Sequence, residues 1–204
     1  MARDALADLP RNVEEPQHRA KKDRNRKGAA ARLNNAARFT AELTALGGHV
    51  LTTDAPGARA YIEKLVAERG GPARAARRPA VTRLDLNTEA FAGALSNVQI
   101  GITQADYALA DTGTLVVFSE VGEGRSLSLL VPVHVAILEE PRILASLDEL
   151  MEREPNFPER SSAMVFITGP SRTADIERTL TVGVHGPGEL HVLIVSGSSV
   201  TPLR

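Results

Sequence analysis

Hydrophobic residues recur at helical spacing in the first third of the chain. Within residues 29–46 the apolar positions fall three or four residues apart: Ala36, Phe39, Leu43 and Leu46. This spacing predicts a helix. The β-branched run 49–53 predicts a strand, and Asp54 followed by Pro56 predicts the start of a second helix, which continues to about Glu68. Helix, strand and helix in this order are typical of an α/β architecture.

Continuous apolar runs dominate the second half of the chain. Residues 129–138, 164–168 and 189–195 are rich in β-branched side chains, which predicts buried strands. Residues 141–152 predict a connecting helix. Its predicted buried stripe consists of Ile143, Leu144, Leu147 and Met151. Strand, helix and strand from Val133 to Thr168 would form a parallel crossover. We therefore predict an α/β fold with three layers, an open and mainly parallel sheet with helices on both faces.

The region between these halves is less regular. Residues 73–79 contain three arginines, which predicts an exposed segment. A short strand or loop is predicted at 81–86, followed by a short helix at 88–95. Residues 100–118 predict two strands joined by a tight turn at 111–114.

Composition places the chain among ordinary soluble domains. Of its 204 residues 43% are hydrophobic and 24% are charged, and the formal net charge is −1. Residues 1–28 are polar and end in a basic cluster, which predicts a flexible N-terminal arm before a single domain over 29–204. The near-neutral charge and an aromatic content of 3% give no reason to expect nucleic acid. No apolar run has the length of a membrane span, so we expect a cytoplasmic protein.

The absence of cysteine excludes several kinds of chemistry. No disulfide, thiolate nucleophile or cysteine-ligated iron–sulfur cluster can form within this sequence. Histidines and carboxylates do not cluster at metal-ligand spacing, so we expect no metal site. The sequence also lacks a Walker phosphate loop, a Gly-x-Gly-x-x-Gly fingerprint and a Gly-x-Ser-x-Gly nucleophile elbow.

Polar residues follow the point where an apolar strand ends at Gly169. In open α/β sheets, ligands bind beyond the carboxyl ends of the strands. Ser171 or Thr173 is expected to cap a helix that begins near Ala174. Alternatively, the free backbone N–H groups of that helix, the two hydroxyls and the guanidinium of Arg172 would hold a phosphate or carboxylate.

Two further glycine turns are candidates for ligand contact. His185, next to Gly186, carries an imidazole suited to act as acid, base or ligand donor. Gly113 permits a positive φ, so the backbone there can approach a ligand closely; the alternative is a turn that bonds only to itself. Arg125 directly follows a glycine-containing loop at residues 119–124. It would hold an anion beside this loop or form a salt bridge to a loop carboxylate.

Two separated blocks of sequence resemble one known family. The first is GITQADYALADTGTLVV at 101–117, and the second combines ITGPSRTADIE at 167–177 with VGVHGPGELHVLIV at 182–195. In this order they resemble the lactate-utilization protein C family, also called the LUD domain. The resemblance covers the part of the chain after Ser96.

The resemblance implies an α/β fold of the sugar-phosphate isomerase and coenzyme A transferase type. It also implies a place in a three-protein system that oxidises L-lactate to pyruvate. In that system the iron–sulfur clusters belong to the two partner proteins. A chain without cysteine agrees with a non-redox subunit that carries no cofactor of its own.

Three functional hypotheses remain open. The leading one is an accessory subunit of a lactate-utilization system with a small-anion or nucleotide pocket. Its candidate ligand-binding residues are Thr112, Gly113, Thr114, Arg125, Gly169, Ser171, Arg172, Thr173 and Gly186. The second is a free-standing isomerase-like or transferase-like enzyme acting on a sugar phosphate or acyl-coenzyme A. The candidate catalytic residues are Asp106, Asp175 and His185. The third is a non-catalytic assembly or regulatory protein, and a homo-oligomer is compatible with all three.

Overall fold

The computed structural model describes residues 31, 33–86, 97–119, 126–174, 180–182 and 185–196, and its centre is a five-stranded sheet. Across the sheet the strands are β1 (His49–Thr53), β11 (Glu189–Val195), β6 (Val133–Glu139), β3 (Ile100–Gln104) and β2 (Ala73–Ala75). Every neighbouring pair is parallel. The predicted α/β fold with a mainly parallel sheet is confirmed.

Two helices cover one face of this sheet. Helix α2 (Ala55–Arg69) begins where Gly57 N donates to Asp54 Oδ1 at 2.9 Å, and it ends at Gly70, whose φ is 65°. Both features stabilise helix ends, and Asp54 was predicted from the sequence. The short helix α3 (Pro79–Thr82) lies on the same face. Ile62 and Leu65 of α2 pack there with the strand residues that point to that side.

The opposite face is covered by a helix and a second sheet. Helix α1, at residues 33–45, buries Phe39 and Leu43 against the parallel sheet. Beside it lies a four-stranded sheet in the order β7 (Ile143–Leu144), β4 (Tyr107–Leu109), β5 (Thr114–Phe118) and β8 (Met164–Ile167). Helices on both faces are thus confirmed, and the layer on this side also contains a second sheet that the sequence did not predict.

The remaining short elements connect or cover these sheets. They are α4 (Ser126–Leu129), a 3-10 turn (Glu140–Arg142), α5 (Leu147–Arg153), α6 (Phe157–Arg160) and the antiparallel strands β9 (Arg172–Ala174) and β10 (Leu180–Val182). Leu150 of α5 and Phe157 of α6 pack on the outer face of the second sheet. Among the described residues no helix combines the length and the apolar character that crossing a membrane requires.

Two predicted elements in the second half are wrong. The helix expected at 141–152 begins only at Leu147, because Ile143 and Leu144 pair with β4 as a strand. Leu147 and Met151 are 45% and 44% exposed and Leu150 is buried instead, so the predicted stripe is displaced. The crossover from Val133 to Thr168 also fails, because β6 and β8 belong to different sheets.

The middle region differs from its prediction as well. Residues 73–75 form the edge strand β2, and Arg78 is buried, although an exposed segment was expected. The strand or loop expected at 81–86 is the end of α3 followed by a turn. The helix expected at 88–95 and the arm at 1–28 lie outside the described residues.

Candidate functional site

Two of the predicted glycine loops lie against each other. Ser171 N donates to Pro187 O at 2.8 Å, and Gly186 packs on the Ser171 side chain so closely that a Cβ on Gly186 would lie 3.2 Å from Ser171 Cβ. Gly188 N in turn donates to Pro132 O at 3.0 Å, directly before β6. The loop at 169–171 and the loop at 185–188 therefore form one surface.

This surface lies at the amino ends of the parallel strands, although the carboxyl ends were expected. The loop at 185–188 precedes β11, and Pro132 precedes β6. The expectation failed because β8, the strand that leads to Gly169, belongs to the second sheet and runs antiparallel to β5. Its carboxyl end is therefore not an end of the parallel sheet.

An open cleft with a volume of 920 Å³ lies at these amino ends. This volume is in the range of sites that hold cofactors and drug-sized ligands. The apolar wall comes from the connection between α4 and β6, residues 129–133, where Leu130 is 72% exposed. The polar lining consists of Arg69, Gln99, His185 and Glu189, together with the backbone of Gly186 and Gly188.

A chain of polar side chains runs from the cleft into the sheet. Glu189 Oε2 lies 2.5 Å from Arg69 Nη2 and 3.4 Å from His191 Nε2. His191 Nδ1 lies 2.8 Å from the Tyr61 hydroxyl, and the His191 ring stacks on His49 with centroids 4.6 Å apart. We call Arg69, Glu189, His191 and Tyr61 the polar chain of the cleft.

Burial shifts two groups of the polar chain toward their neutral forms. Burial lowers the pKa of His191, an effect that Glu189 opposes by raising it. Burial also raises the pKa of Tyr61, and the nearby carboxylates Glu68 and Glu189 raise it further. At neutral pH the polar chain therefore contains a neutral phenol and a predominantly neutral imidazole.

Arg172 does not lie at a helix N-terminus. Residues 172–174 form β9, which pairs with β10 in the register Ala174 with Leu180, so the cap and the helix start predicted near Ala174 are wrong. Residues 175–179 of the predicted helix lie outside the described residues. The sequence of hydroxyl residues resembled a cap, but strand pairing decided the backbone. The exposed Arg172 guanidinium donates to Leu46 O at the end of α1. Asp175 and Arg125 lie outside the described residues, as does the side chain of Thr173.

The turn at 111–114 packs on α1. Gly113 has a φ of 63°, as predicted, and a Cβ on it would lie 2.5 Å from Leu43 N, so its close approach is to the helix backbone. Thr114 Oγ1 lies 2.7 Å from Thr112 Oγ1 and 2.9 Å from Thr168 Oγ1, which joins the turn to the end of β8. Gly169, with a φ of 93°, packs on Leu46 of the same helix end.

Asp106 lies at the other end of the sheet. It is fully buried beyond the carboxyl end of β3, where Arg78 Nη2 and Phe118 N donate to its carboxylate. Burial raises the pKa of Asp106, although Arg78 lowers it. Gln99, at the cleft, precedes β3 by one residue, so the strand places about 20 Å between the cleft and Asp106. The structure does not bring Asp106 and His185 together.

Further charges accompany Asp106 at the carboxyl ends. Glu139 accepts from Arg142 at 2.8 Å and from Arg83 at 2.9 Å, and both Glu139 and Arg142 are buried. The Tyr107 hydroxyl donates to Glu154 at 2.6 Å, and burial followed by this hydrogen bond raises the pKa of Tyr107 to about 12. Within the described residues no group of three or more His, Asp or Glu side chains is arranged to hold a metal ion.

Comparison with known proteins identifies the family. The model of the LUD domain matches residues 36–195, which is most of the chain. This chain belongs to the LUD domain family. The resemblance seen in the sequence blocks is thereby confirmed.

Three curated relatives of this LUD domain share a name. The chain is 40% identical over 103 residues to "Lactate utilization protein C" of Macrococcus caseolyticus, which covers 47% of the chain and 43% of that protein. It is 47% identical over 92 residues to the protein of that name from Halalkalibacterium halodurans, covering 43% of the chain and 40% of the relative. The Bacillus subtilis protein of that name is 41% identical over 101 residues, which covers 48% of the chain and 42% of that protein. The chain thus matches less than half the length of these relatives.

A solved structure has the same fold as this LUD domain. The crystal structure of a DUF162 family protein from Deinococcus radiodurans superposes with a TM-score of 0.56 and 22% sequence identity. The superposition covers 81% of this chain and 98% of that chain. At this identity the likeness establishes the α/β fold.

Sequence reasoning did not select the polar chain of this LUD domain. One signal was available: Glu189 and His191 stand two residues apart in a predicted strand and therefore share a face. Nothing in the sequence relates them to Tyr61 or to Arg69, which approaches Glu189 from 120 positions away. His134 is a fully buried histidine of β6, with Nε2 2.8 Å from Thr103 Oγ1, but its Nδ1 has no hydrogen-bond partner in the described part of the chain.

Proposed function

We propose that this LUD domain acts in lactate utilization, in a system that oxidises L-lactate to pyruvate together with iron–sulfur partner proteins. Its part in the system is to bind a small anionic or nucleotide ligand in the cleft at the amino ends of β6 and β11. The support for the lactate role is the name shared by relatives that are 40–47% identical over the matched segments.

The cleft is the observation that supports the ligand-binding part of the proposal. Two segments of the family's sequence blocks, 169–171 and 185–188, lie together beside it, and the second segment lines it. Gly186 and Gly188 line the cleft without a side chain, so a ligand can approach the backbone there closely. An apolar wall opposite polar side chains is typical of a small-molecule site.

The chemistry of the lining suits an anion with an apolar or ring portion. Arg69 is the cationic side chain of the lining, and the His185 imidazole is exposed and able to donate a hydrogen bond. Leu130 and its neighbours would cover the apolar part of the ligand, since an exposed leucine in a concave wall loses water contact when a ligand binds.

The two other hypotheses receive less support from the geometry. An isomerase-like or transferase-like enzyme needs a desolvated carboxylate in the pocket. Asp106 is desolvated, but it is bound to Arg78 at the opposite end of β3. A purely structural assembly protein would have a filled loop cluster, whereas an open cleft lies beside these loops.

A thermal-shift screen tests ligand binding. The purified chain is heated with L-lactate, pyruvate, inorganic phosphate, sugar phosphates, nucleotides and coenzyme A esters, because a ligand that prefers the folded state raises its stability. We expect a stabilising ligand whose effect is lost in Leu130→Trp, which fills the cleft from an exposed position. Met151→Trp, at an equally apolar exposed position on α5, is the matched control and should retain the shift.

A growth experiment tests the lactate role. Cells that lack the gene are expected to grow on pyruvate but not on L-lactate, and growth on L-lactate should return with the wild-type chain and with Met151→Trp. Normal growth of the deletion strain on L-lactate would refute the proposal. Absence of any thermal shift would refute its ligand-binding part.

A further inference from the structure

One carboxylate oxygen in the cleft is shared by two basic side chains. Glu189 Oε2 accepts from Arg69 Nη2 at 2.5 Å, and the same atom lies 3.4 Å from His191 Nε2, beyond good hydrogen-bond distance. The position of Arg69 therefore decides how much of the Glu189 charge is available to His191.

The pair of Arg69 with Glu189 is suited to exchange. The two side chains are 46% and 32% exposed, and both line the cleft. Ion pairs with this exposure contribute little to stability, because water already solvates both charges. A guanidinium also binds a carboxylate or phosphate through two parallel N–H bonds, which a ligand in the cleft can offer.

His191 has a hydrogen-bond partner for either protonation state. Because the Tyr61 phenol keeps its proton, it donates to Nδ1 of a neutral imidazole, whose Nε2–H then faces Glu189. When a proton from solvent binds Nδ1, that nitrogen becomes a donor and the Tyr61 oxygen accepts instead. Protonation therefore requires only a rotation of the hydroxyl.

The charged groups around His191 come from four elements. Glu189 lies on its own strand, His49 stacks on it from β1, and Arg69 acts on it from α2. Glu68, also on α2, acts on the hydroxyl partner Tyr61, and His134 of β6 is the remaining titratable neighbour. Of these groups Arg69 is the cation that lines the cleft.

We infer that Arg69 is the anion-binding residue of the cleft, and that a bound carboxylate or phosphate draws Arg69 from Glu189, which then binds a protonated His191. Ligand binding thus takes up a proton. The inference deepens the proposed function and rests on it, because it needs an anionic ligand in the cleft.

The direction of the pH effect follows from the contributions at His191. Burial lowers the pKa of His191, as do His49 and, to a smaller extent, Arg69, whereas Glu189 raises it. Neutralising Arg69 with an anion and freeing Glu189 both raise this pKa in the complex. Proton uptake occurs at pH values between the pKa of the free protein and that of the complex. The affinity rises as the pH falls through this interval and is constant below it.

Isothermal titration calorimetry tests the inference on the whole chain. Inorganic phosphate and L-lactate are titrated near pH 6.5, the ordinary value for histidine, in buffers of different ionisation enthalpy, which gives the number of protons taken up. We expect up to about one proton per bound anion, and an increase in affinity toward lower pH. Arg69→Gln should weaken binding at least about tenfold, as expected for losing a charged hydrogen-bond partner.

Matched variants test anion binding and proton uptake separately. His191→Gln should still bind the anion, but with no proton uptake from this site and with an affinity that no longer changes over the same pH interval. Glu189→Gln, which removes the shared carboxylate and leaves the sheet core untouched, should do the same. Arg59→Gln removes another half-exposed arginine of α2 that pairs with a glutamate outside the cleft lining, and it should behave like the wild type.

The outcomes distinguish the inference from the function on which it rests. Anion binding without proton uptake, uptake that persists in His191→Gln, or full affinity in Arg69→Gln would each overturn the inference and leave the proposed function standing. Failure of both anions and of every ligand in the thermal-shift screen to bind would overturn both.

Discussion

At the carboxyl ends of β2, β3 and β6 two ion pairs are buried on both sides, whereas at the amino ends of β6 and β11 an ion pair is partly exposed beside an open cleft. The buried pairs are Arg78 with Asp106 and Arg142 with Glu139, all less than a tenth exposed. The exposed pair is Arg69 with Glu189.

The difference in burial decides whether an ion pair can exchange one of its partners for a ligand. A buried pair cannot separate, because each charge would lose its partner in a medium that solvates it poorly. A half-exposed pair can exchange one partner for a ligand at little cost. In this LUD domain the half-exposed pair that lines the cleft lies at the amino ends, although open α/β sheets ordinarily bind ligands at the carboxyl ends.

Breaking a buried pair should give the largest effect. Arg78→Ala leaves the Asp106 carboxylate without its guanidinium, and we expect a loss of about 3–5 kcal/mol in the free energy of unfolding, measured by urea denaturation. Arg59→Ala, which breaks a pair 39% and 47% exposed, should leave the free energy of unfolding close to that of the wild type. Equal losses in the two variants would contradict the distinction between buried and exposed pairs.

Gly113 tests the contact of the 111–114 turn with α1. Gly113→Ala should destabilise by about 2–4 kcal/mol, because an unfavourable φ is combined with a clash against the helix backbone. Gly70→Ala is the matched control: its φ is 65°, but a Cβ would meet nothing within 4 Å, so only the backbone strain of about 1 kcal/mol remains. Equal losses would show that the helix contact does not matter.

The buried His134 makes the free energy of unfolding depend on pH. Burial, followed by His191, lowers the pKa of His134 to about 4 from 6.5. The unfolded chain binds a proton at higher pH than the folded chain, so the stability contributed by the neutral imidazole is complete above pH 6.5 and falls toward pH 4. The loss is on the order of 3 kcal/mol by linkage. Urea denaturation at several pH values should show this slope in the wild type and a smaller slope in His134→Gln. Parallel curves would contradict the prediction.

The exposed pair should give the smallest effect on stability. Arg69→Gln is expected to change the free energy of unfolding by only about 0–1 kcal/mol in urea, because water replaces Glu189 as its partner. A loss as large as that of Arg78→Ala would show that the pair is structural and would remove the basis for an exchange of partners.

Locally encoded features of the fold could be predicted from the sequence. Asp54 before Pro56 marks the start of α2, and the apolar spacing that contains Phe39 and Leu43 marks α1. Ile143 and Leu144 could not be assigned in this way, since their apolar pattern fits a helix and a strand equally. Only the pairing of Ile143 with Ala108 decides for the strand.

The candidate site was predictable only in part, for the same reason. The positive φ of Gly113 follows from its turn, but its partner is a helix 70 residues earlier in the chain, which no local pattern indicates. Arg78 belongs to an arginine-rich run whose composition predicts exposure to solvent. Its burial depends on Asp106, 28 positions away. Side chains whose role depends on a distant partner are therefore the ones that sequence reasoning missed.

The position of β11 in the sheet also has a consequence for the order of events during synthesis. β1 lies at the edge of the sheet and pairs with β11, and Ser196 directly after β11 bonds to Thr53 across 143 positions of sequence. A ribosome-bound chain that ends before Glu189 therefore has β1 without its neighbour and β6 paired on one side only. Such long-range pairing is slow and leaves strand edges exposed. We expect the parallel sheet to form only after β11 has left the ribosome, so that a nascent chain halted earlier depends on chaperones.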